Sequence, residues 1–190
     1  MSNQHFIDQC LAEAMQTLGN LPQPLPAAIA EAGLHLAQRL IAGQKIVVIG
    51  CQSLAPLSQL FCSNQIYRDA DLRPALPVIS LNNGDIAAAI GQGEAKLAFC
   101  PPLQAIGQPG DALLLLCEDA LSEIVASTLD CAHNQQMNTV VVGKNSAQCS
   151  AQYNLQLPLE IENLTRMHEI TLFILNSLND MIDQQLFGDH

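Results

Sequence analysis

The chain has 190 residues, of which 49% are hydrophobic, 4% aromatic and 13% charged. Such high hydrophobicity with so little charge excludes a disordered chain, and the longest apolar runs, such as Ala112 to Cys117, are too short to span a membrane. Seven Lys and Arg against 18 Asp and Glu give a formal charge of −11. Because nucleic acids and anionic membranes are bound through cationic side chains, neither is an expected direct partner.

The cysteines and the N-terminus indicate the cellular compartment. The seven cysteines are odd in number and form no CxxC pair, so neither a disulfide framework nor a zinc module is predicted. We predict no metal and no cofactor. Residues Met1 to His5 do not form a basic segment followed by an apolar stretch, so no signal peptide is expected and a cytoplasmic protein is favoured. The scarcity of charge favours a homo-oligomer, because subunit interfaces are depleted of charged residues.

Residues 1–43 predict a hairpin of two amphipathic helices. Apolar residues recur at helical spacing from Phe6 to Leu18, and Gly19-Asn20 ends this first helix. The second helix begins near Pro26, a residue suited to a first helical turn, and ends at Gly43.

Residues 44–190 predict an α/β core. Four short apolar runs indicate strands buried on both faces, and a fifth, alternating run indicates an edge strand: Lys45–Gly50, Leu76–Leu81, Ala112–Cys117, Thr139–Gly143 and Tyr153–Leu159. Helical patterns lie between them at 53–67 and 120–136, whereas Pro101-Pro102 is expected to interrupt any helix between residues 85 and 106. A long apolar stripe over 164–186 predicts the final helix.

This alternation of strands and helices predicts the fold class. The chain is expected to form a single α/β domain over 1–190, a three-layer doubly wound fold with a five-stranded, mainly parallel sheet and right-handed crossovers. The helical hairpin is added at its N-terminus.

Five stretches resemble a known family in both sequence and order: Leu40–Ile46, Arg73–Asn83, Gly110–Leu115, Arg166–Glu169 and Leu178–Phe187. They resemble the sugar isomerase (SIS) family, in the branch that contains phosphoheptose isomerases and DnaA initiator-associating proteins. The resemblance implies a homotetramer that binds a DnaA-type initiator and regulates chromosome replication. The alternatives are an isomerase acting on sedoheptulose 7-phosphate, or a sugar-phosphate sensor.

Two loops depart from the phosphate-binding patterns of that family. After the first strand, Gly-Asn-Gly-x-Ser is replaced by residues 50–54, which keep Gly50 and a nearby serine, Ser53. After the third strand, Cys117-Glu118-Asp119 and Ser122 stand in a loop that is normally rich in serine. Each carboxylate would repel a phosphate at 4 Å by about 4 kcal/mol at an effective dielectric near 20. In structural terms, Glu118 and Asp119 are expected to favour the N-terminus of the following helix.

The resemblance also bears on catalysis. It places Asn64 and Asn176 where isomerases have a glutamate and a histidine, and an amide cannot act as a base or an acid near neutral pH. A metal-binding histidine corresponds to Leu60. The prediction is a degenerate sugar-phosphate site without catalysis. His168, beside Glu169, would be a substitute base or a metal ligand in the functional interpretation. We favour an interfacial or cleft histidine that is hydrogen-bonded to Glu169 or another neighbour.

The chain's end suggests a partner-binding site. Leu186 continues the buried stripe of the last helix, whereas Phe187 lies about 100° away from it, where little chain is left to cover a ring. Aromatic anchors are enriched in binding hot spots. Leu186 and Phe187 also match a Leu-Phe pair in DnaA initiator-associating proteins, and the resemblance therefore implies that they contact the initiator. The alternative is that Phe187 packs against a neighbouring subunit.

Overall fold

The computed structural model describes residues 3–68, 73–81, 97–119, 122–144 and 153–188. Within these ranges lie six α-helices and five strands. Each predicted strand is present, but the one predicted at 76–81 is not buried on both faces as expected, because it lies at the edge of the sheet and Ile79 is 40% exposed. In chain order they are α1 (Asn3–Gly19), α2 (Leu25–Ile41), β1 (Ile46–Gly50), α3 (Ala55–Tyr67), β2 (Val78–Leu81), α4 (Cys100–Ile106), β3 (Ala112–Cys117), α5 (Glu123–Asn134), β4 (Asn138–Gly143), β5 (Leu155–Pro158) and α6 (Leu164–Phe187).

The prediction that Pro101-Pro102 interrupts a helix is wrong. Helix α4 begins at Cys100, so both prolines occupy its first turn. The N–H groups of a first turn have no intrahelical acceptor, so prolines there remove no hydrogen bond. The remainder of the predicted 85–106 segment, up to residue 96, lies outside the described residues, as do residues 120 and 121 of the helix predicted at 120–136.

The sheet has the strand order β2-β1-β3-β4-β5, and every neighbouring pair is parallel. β2 therefore lies on one side of β1, and β3 lies on the other side. In such a sheet the connections after β1 and β3 leave in opposite directions, and a crevice opens at their carboxyl ends.

Helices cover both faces of the sheet, which confirms the three-layer architecture. Successive residues of a strand point to opposite faces. Val48 and Leu114 thus belong to a core shared with α2, α3 and α6, whereas Val47 and Leu113 belong to a core shared with α4 and α5. All four are fully buried, and each such side chain contributes about 1.5–3 kcal/mol.

Helix α1 differs from the others because none of its residues is buried in the single chain. Its apolar side chains have exposed fractions between 47% and 67% and lie at helical spacing: Phe6, Ile7, Leu11, Met15 and Leu18. The apolar stripe predicted from the sequence is therefore present, but the chain itself does not cover it.

Within the part of the chain that the structure describes, every helix is too short or too polar to traverse a lipid bilayer.

Candidate functional site

Three of the predicted site residues meet at the crevice between β1 and β3. Ser53 follows β1, Glu118 follows β3, and His168 lies in the second turn of α6. The Ser53 N–H donates to Glu118 Oε1 at 3.1 Å, and the Ser53 hydroxyl donates to the same oxygen. Ser53 Oγ also lies 2.6 Å from His168 Nε2. Ser53 is thus hydrogen-bonded to two residues that lie 65 and 115 positions away from it in the sequence.

The direction of these hydrogen bonds decides what the cluster can do. An ionised carboxylate only accepts, so the Ser53 hydroxyl donates to Glu118 and its oxygen is left to accept from His168 Nε2–H. This assignment of the proton to Nε2 follows from the network. In a serine nucleophile the histidine accepts the hydroxyl proton instead. The cluster is therefore not arranged to activate Ser53.

The backbone around Ser53 explains why the loop lies so close to the sheet. A Cβ on Gly50 would lie 2.4 Å from the carbonyl oxygen of Leu54, so only glycine permits this approach. Gln52 has φ 52°, in the left-handed region, which costs a non-glycine residue about 1–2 kcal/mol. The resemblance matches Gln52 with the second glycine of the family pattern, and Gln52 has a positive φ that glycine adopts readily.

Two buried cysteines line the strand ends next to the cluster. Burial, and then the charge of Glu118, raise the pKa of Cys51 to about 12. Cys117 is also fully buried, and a Cβ on Gly143 would lie 2.1 Å from its carbonyl oxygen. Because a thiol reacts as its thiolate, this raised pKa disfavours reaction of Cys51 at neutral pH.

The two acidic residues after β3 differ in position. Glu118 is half-buried and binds Ser53, whereas Asp119 is exposed. The carboxylate of Glu118 turns across to the loop after β1, and the expectation that Glu118 and Asp119 favour the N-terminus of the following helix stays a prediction. Ser122 occupies the N-cap position of α5, but its side chain makes no capping hydrogen bond.

His168 is hydrogen-bonded to a neighbour, which agrees with the favoured interpretation. Its partner is Ser53 and not Glu169. Glu169 is exposed and instead accepts from Arg166 Nη1, at 2.7 Å and 2.5 Å to its two oxygens. Among the described residues no group of three or more His, Cys, Asp or Glu side chains is arranged to hold a metal ion.

Asn64 and Asn176, which the resemblance matches with isomerase catalytic groups, lie on α3 and α6. Asn64 is half-buried, and its backbone carbonyl accepts from Arg73 Nη2 at 2.9 Å. Asn176 lies on an exposed part of α6, and Leu60 is 43% exposed on α3. Neither amide carries a proton that could be exchanged with a substrate near neutral pH.

At the C-terminus, the prediction of an uncovered Phe187 ring is wrong. Leu186 and Phe187 are half-buried and pack against the core. The guanidinium of Arg73 lies 5.8 Å from the centre of the Phe187 ring, within the range of a cation–π contact. Whether these two residues contact a partner stays a prediction.

Sequence reasoning missed the polar network that holds this end of α6. Arg73 is buried and donates to the carbonyl oxygens of Asn64 and Gln65 at 2.9 Å each, which caps α3. Its Nε lies 3.1 Å from Asp183 Oδ1, as an ion pair whose alignment is poor for a hydrogen bond. An arginine just before a predicted strand and an aspartate on an apolar helical stripe were the available signals.

Comparison with known proteins identifies the family. No protein-family model matches the chain. The DnaA initiator-associating protein DiaA of Photorhabdus laumondii is 30% identical over 187 residues, which cover 95% of each chain. The chain belongs to the DiaA family. The DnaA initiator-associating proteins DiaA of Edwardsiella ictaluri and Yersinia enterocolitica match over the same length at 29% and 28% identity.

Solved structures confirm the SIS fold. A phosphoheptose isomerase from Francisella tularensis superposes with a TM-score of 0.87 at 26% identity, covering 97% of this chain and all of the other. Phosphoheptose isomerase GmhA from Neisseria gonorrhoeae has a TM-score of 0.84 at 17% identity, covering 96% of this chain, and shows the fold alone. The expected SIS architecture, with α1 and α2 preceding the sheet, is therefore confirmed.

Proposed function

We propose that the chain binds a DnaA-type replication initiator and regulates the start of chromosome replication without catalysing a reaction. The observation that carries this proposal is the likeness to proteins named as DnaA initiator-associating, which extends over 95% of both chains. The same proposal places the chain in the cytoplasm, where a replication initiator acts.

The site chemistry supports a non-catalytic role. Asn64 and Asn176 supply no acid or base, and the imidazole of His168 is a hydrogen-bond donor to Ser53. Incubation with sedoheptulose 7-phosphate should therefore yield no product. The likeness to phosphoheptose isomerases favours an isomerase or a sugar-phosphate sensor as the second candidate. Turnover that His168→Ala abolishes would establish the isomerase, and saturable binding without turnover would establish the sensor.

The exposed stripe of α1 supports a homo-oligomer, which we propose to be a homotetramer. Large apolar patches on a surface mark interaction sites, and Leu11 and Met15 are at least 60% exposed in the single chain. Light scattering should give a mass near four times 20.4 kDa. Leu11→Glu should dissociate the assembly. Gln16→Glu adds the same charge to an exposed position of α1 and should leave it intact.

Charge complementarity supports a basic partner surface. The chain carries a formal charge of −11, and a protein that binds DNA presents cationic side chains. Purified initiator immobilised on a sensor should bind the wild-type chain, and the association rate should fall as salt rises from 50 to 300 mM, roughly in line with screening of long-range attraction. An initiator that does not bind at low salt would overturn the proposal.

The role of Phe187 can be tested in the same assay. Phe187→Ala should weaken initiator binding by about 2 kcal/mol or more if the ring is an anchor. Because the ring packs under Arg73, this variant should also lower the melting temperature. Tyr67→Ala removes an aromatic side chain that is 73% exposed and should change neither quantity. Unchanged initiator binding by Phe187→Ala would remove the residue from the interface.

A further inference from the structure

The crevice between β1 and β3 retains a set of donors suited to an anion. It lies where the strand order reverses, which is the general position of ligand sites in open parallel sheets. The Ser53 N–H and O–H point into it, and His168 Nε2 lies 2.6 Å from Ser53 Oγ and holds that hydroxyl as a donor.

An anion from the chain itself occupies these donors. The carboxylate of Glu118 comes from the opposite side of the strand reversal and accepts from both the N–H and the hydroxyl of Ser53 through one oxygen, Oε1. Asp119, the next residue, is exposed. Both carboxylates were expected to repel a phosphate. Glu118 is the one that accepts the hydrogen bonds from Ser53 that a bound phosphate would accept.

We propose that Glu118 is an internal anion that occupies an otherwise functional oxyanion site, and that its removal opens the site to phosphate and phosphate monoesters. The site is therefore occupied rather than lost. Because Glu118 is part of the chain, an external phosphate must displace its carboxylate from Ser53 and is also repelled by its negative charge. Cys51, two residues before Ser53, is a buried thiol and adds no charge of its own to the site.

The donors imply a clear order of affinities. Wild-type protein should bind phosphate weakly, because a carboxylate and a phosphate at contact distance repel each other. Glu118→Ala should bind at least about 100-fold more tightly, since it removes that charge and frees two donors. Adding Ser53→Ala to Glu118→Ala should weaken phosphate binding about tenfold, because one charge-assisted hydrogen bond is lost while the backbone N–H of residue 53 remains.

The experiment titrates inorganic phosphate into the full chain by calorimetry, at constant ionic strength set with chloride. The variants are Glu118→Ala, Glu118→Gln, Glu118→Ala with Ser53→Ala, and Asp119→Ala as the control. Asp119→Ala removes one negative charge from the adjacent position and leaves the Ser53–Glu118 contact in place. It should bind phosphate as weakly as the wild-type chain.

Three results would overturn the inference. Wild-type protein could bind phosphate as tightly as Glu118→Ala, Asp119→Ala could gain as much as Glu118→Ala, or a folded Glu118→Ala could fail to saturate. If Glu118→Ala does not fold, Glu118→Gln keeps the side-chain volume without the charge. Wild-type affinity in that variant would equally overturn the inference. Initiator binding does not enter this test, so the two proposals fail independently.

Discussion

Replacing the buried Asp183 with asparagine should destabilise the chain more than the same replacement of an exposed aspartate. Asp183 faces Arg73, whose side chain is 2% exposed, while that of Asp183 is 12% exposed. The pair fastens α6 to the segment that precedes β2. Asparagine keeps the shape of the side chain but removes the charge that compensates the buried guanidinium.

The magnitude follows from the burial of the cation. Breaking a buried ion pair by removing one partner costs about 3–5 kcal/mol. The value here should lie near 3 kcal/mol, because Arg73 keeps its hydrogen bonds to the carbonyl oxygens of Asn64 and Gln65. For a chain of this size such a loss lowers the melting temperature by about 6–12 °C.

The assay is urea unfolding at a fixed protein concentration, since assembly makes apparent stability concentration-dependent. Asp180→Asn is the matched control. Asp180 lies on the same helix and pairs with Arg68 at 2.7 Å, but the two side chains are 64% and 40% exposed. It should cost less than about 1 kcal/mol. A loss below about 1 kcal/mol for Asp183→Asn, or equal losses for both variants, would refute the reasoning.

Three further predictions concern the backbone and the titratable groups. Gly50→Ala should cost about 1–3 kcal/mol in urea unfolding, because the new Cβ would meet the Leu54 carbonyl at 2.4 Å; an unchanged midpoint would contradict this. Burial, and then the charge of Arg39, lower the pKa of His35 in the folded chain. The free energy of unfolding should therefore fall as the pH drops below about 6.5, the pKa of histidine in the unfolded chain. His35→Gln should reduce this pH dependence, and an unaltered slope of stability against pH would contradict the prediction. Burial raises the pKa values of Cys51 and Cys62 from 9.0 to about 12. Because the unfolded chain loses these protons at lower pH than the folded chain, stability should decline as the pH rises above 9. A melting temperature that stays constant between pH 8 and 11 would contradict this prediction.

The strands and the final helix were predictable because their signals are local. An apolar run such as 112–117 has no polar face, so it must be covered on both sides whatever the rest of the chain does. The stripe of α6 repeats over 24 residues. Pro101-Pro102 was misjudged because a proline's effect depends on where a helix starts, and the preceding residues carry no strong start signal.

The candidate site was predictable as a set of positions but not as an arrangement. The strand ends, and with them Ser53 and Glu118, could be placed at one edge of a parallel sheet from the sequence. Which carboxylate turns toward Ser53, and that His168 joins them, depends on how three separate elements approach one another.

The same division holds for the whole molecule. Hydrophobic periodicity along the sequence determined the strands, most of the helices and the fold class, because burial is decided residue by residue along a strand or helix. The tertiary structure alone decided that Arg73 covers Phe187 and pairs with Asp183, 110 or more positions away. Contacts between side chains so distant in sequence leave no local pattern, since each depends on the packing of all the elements between them.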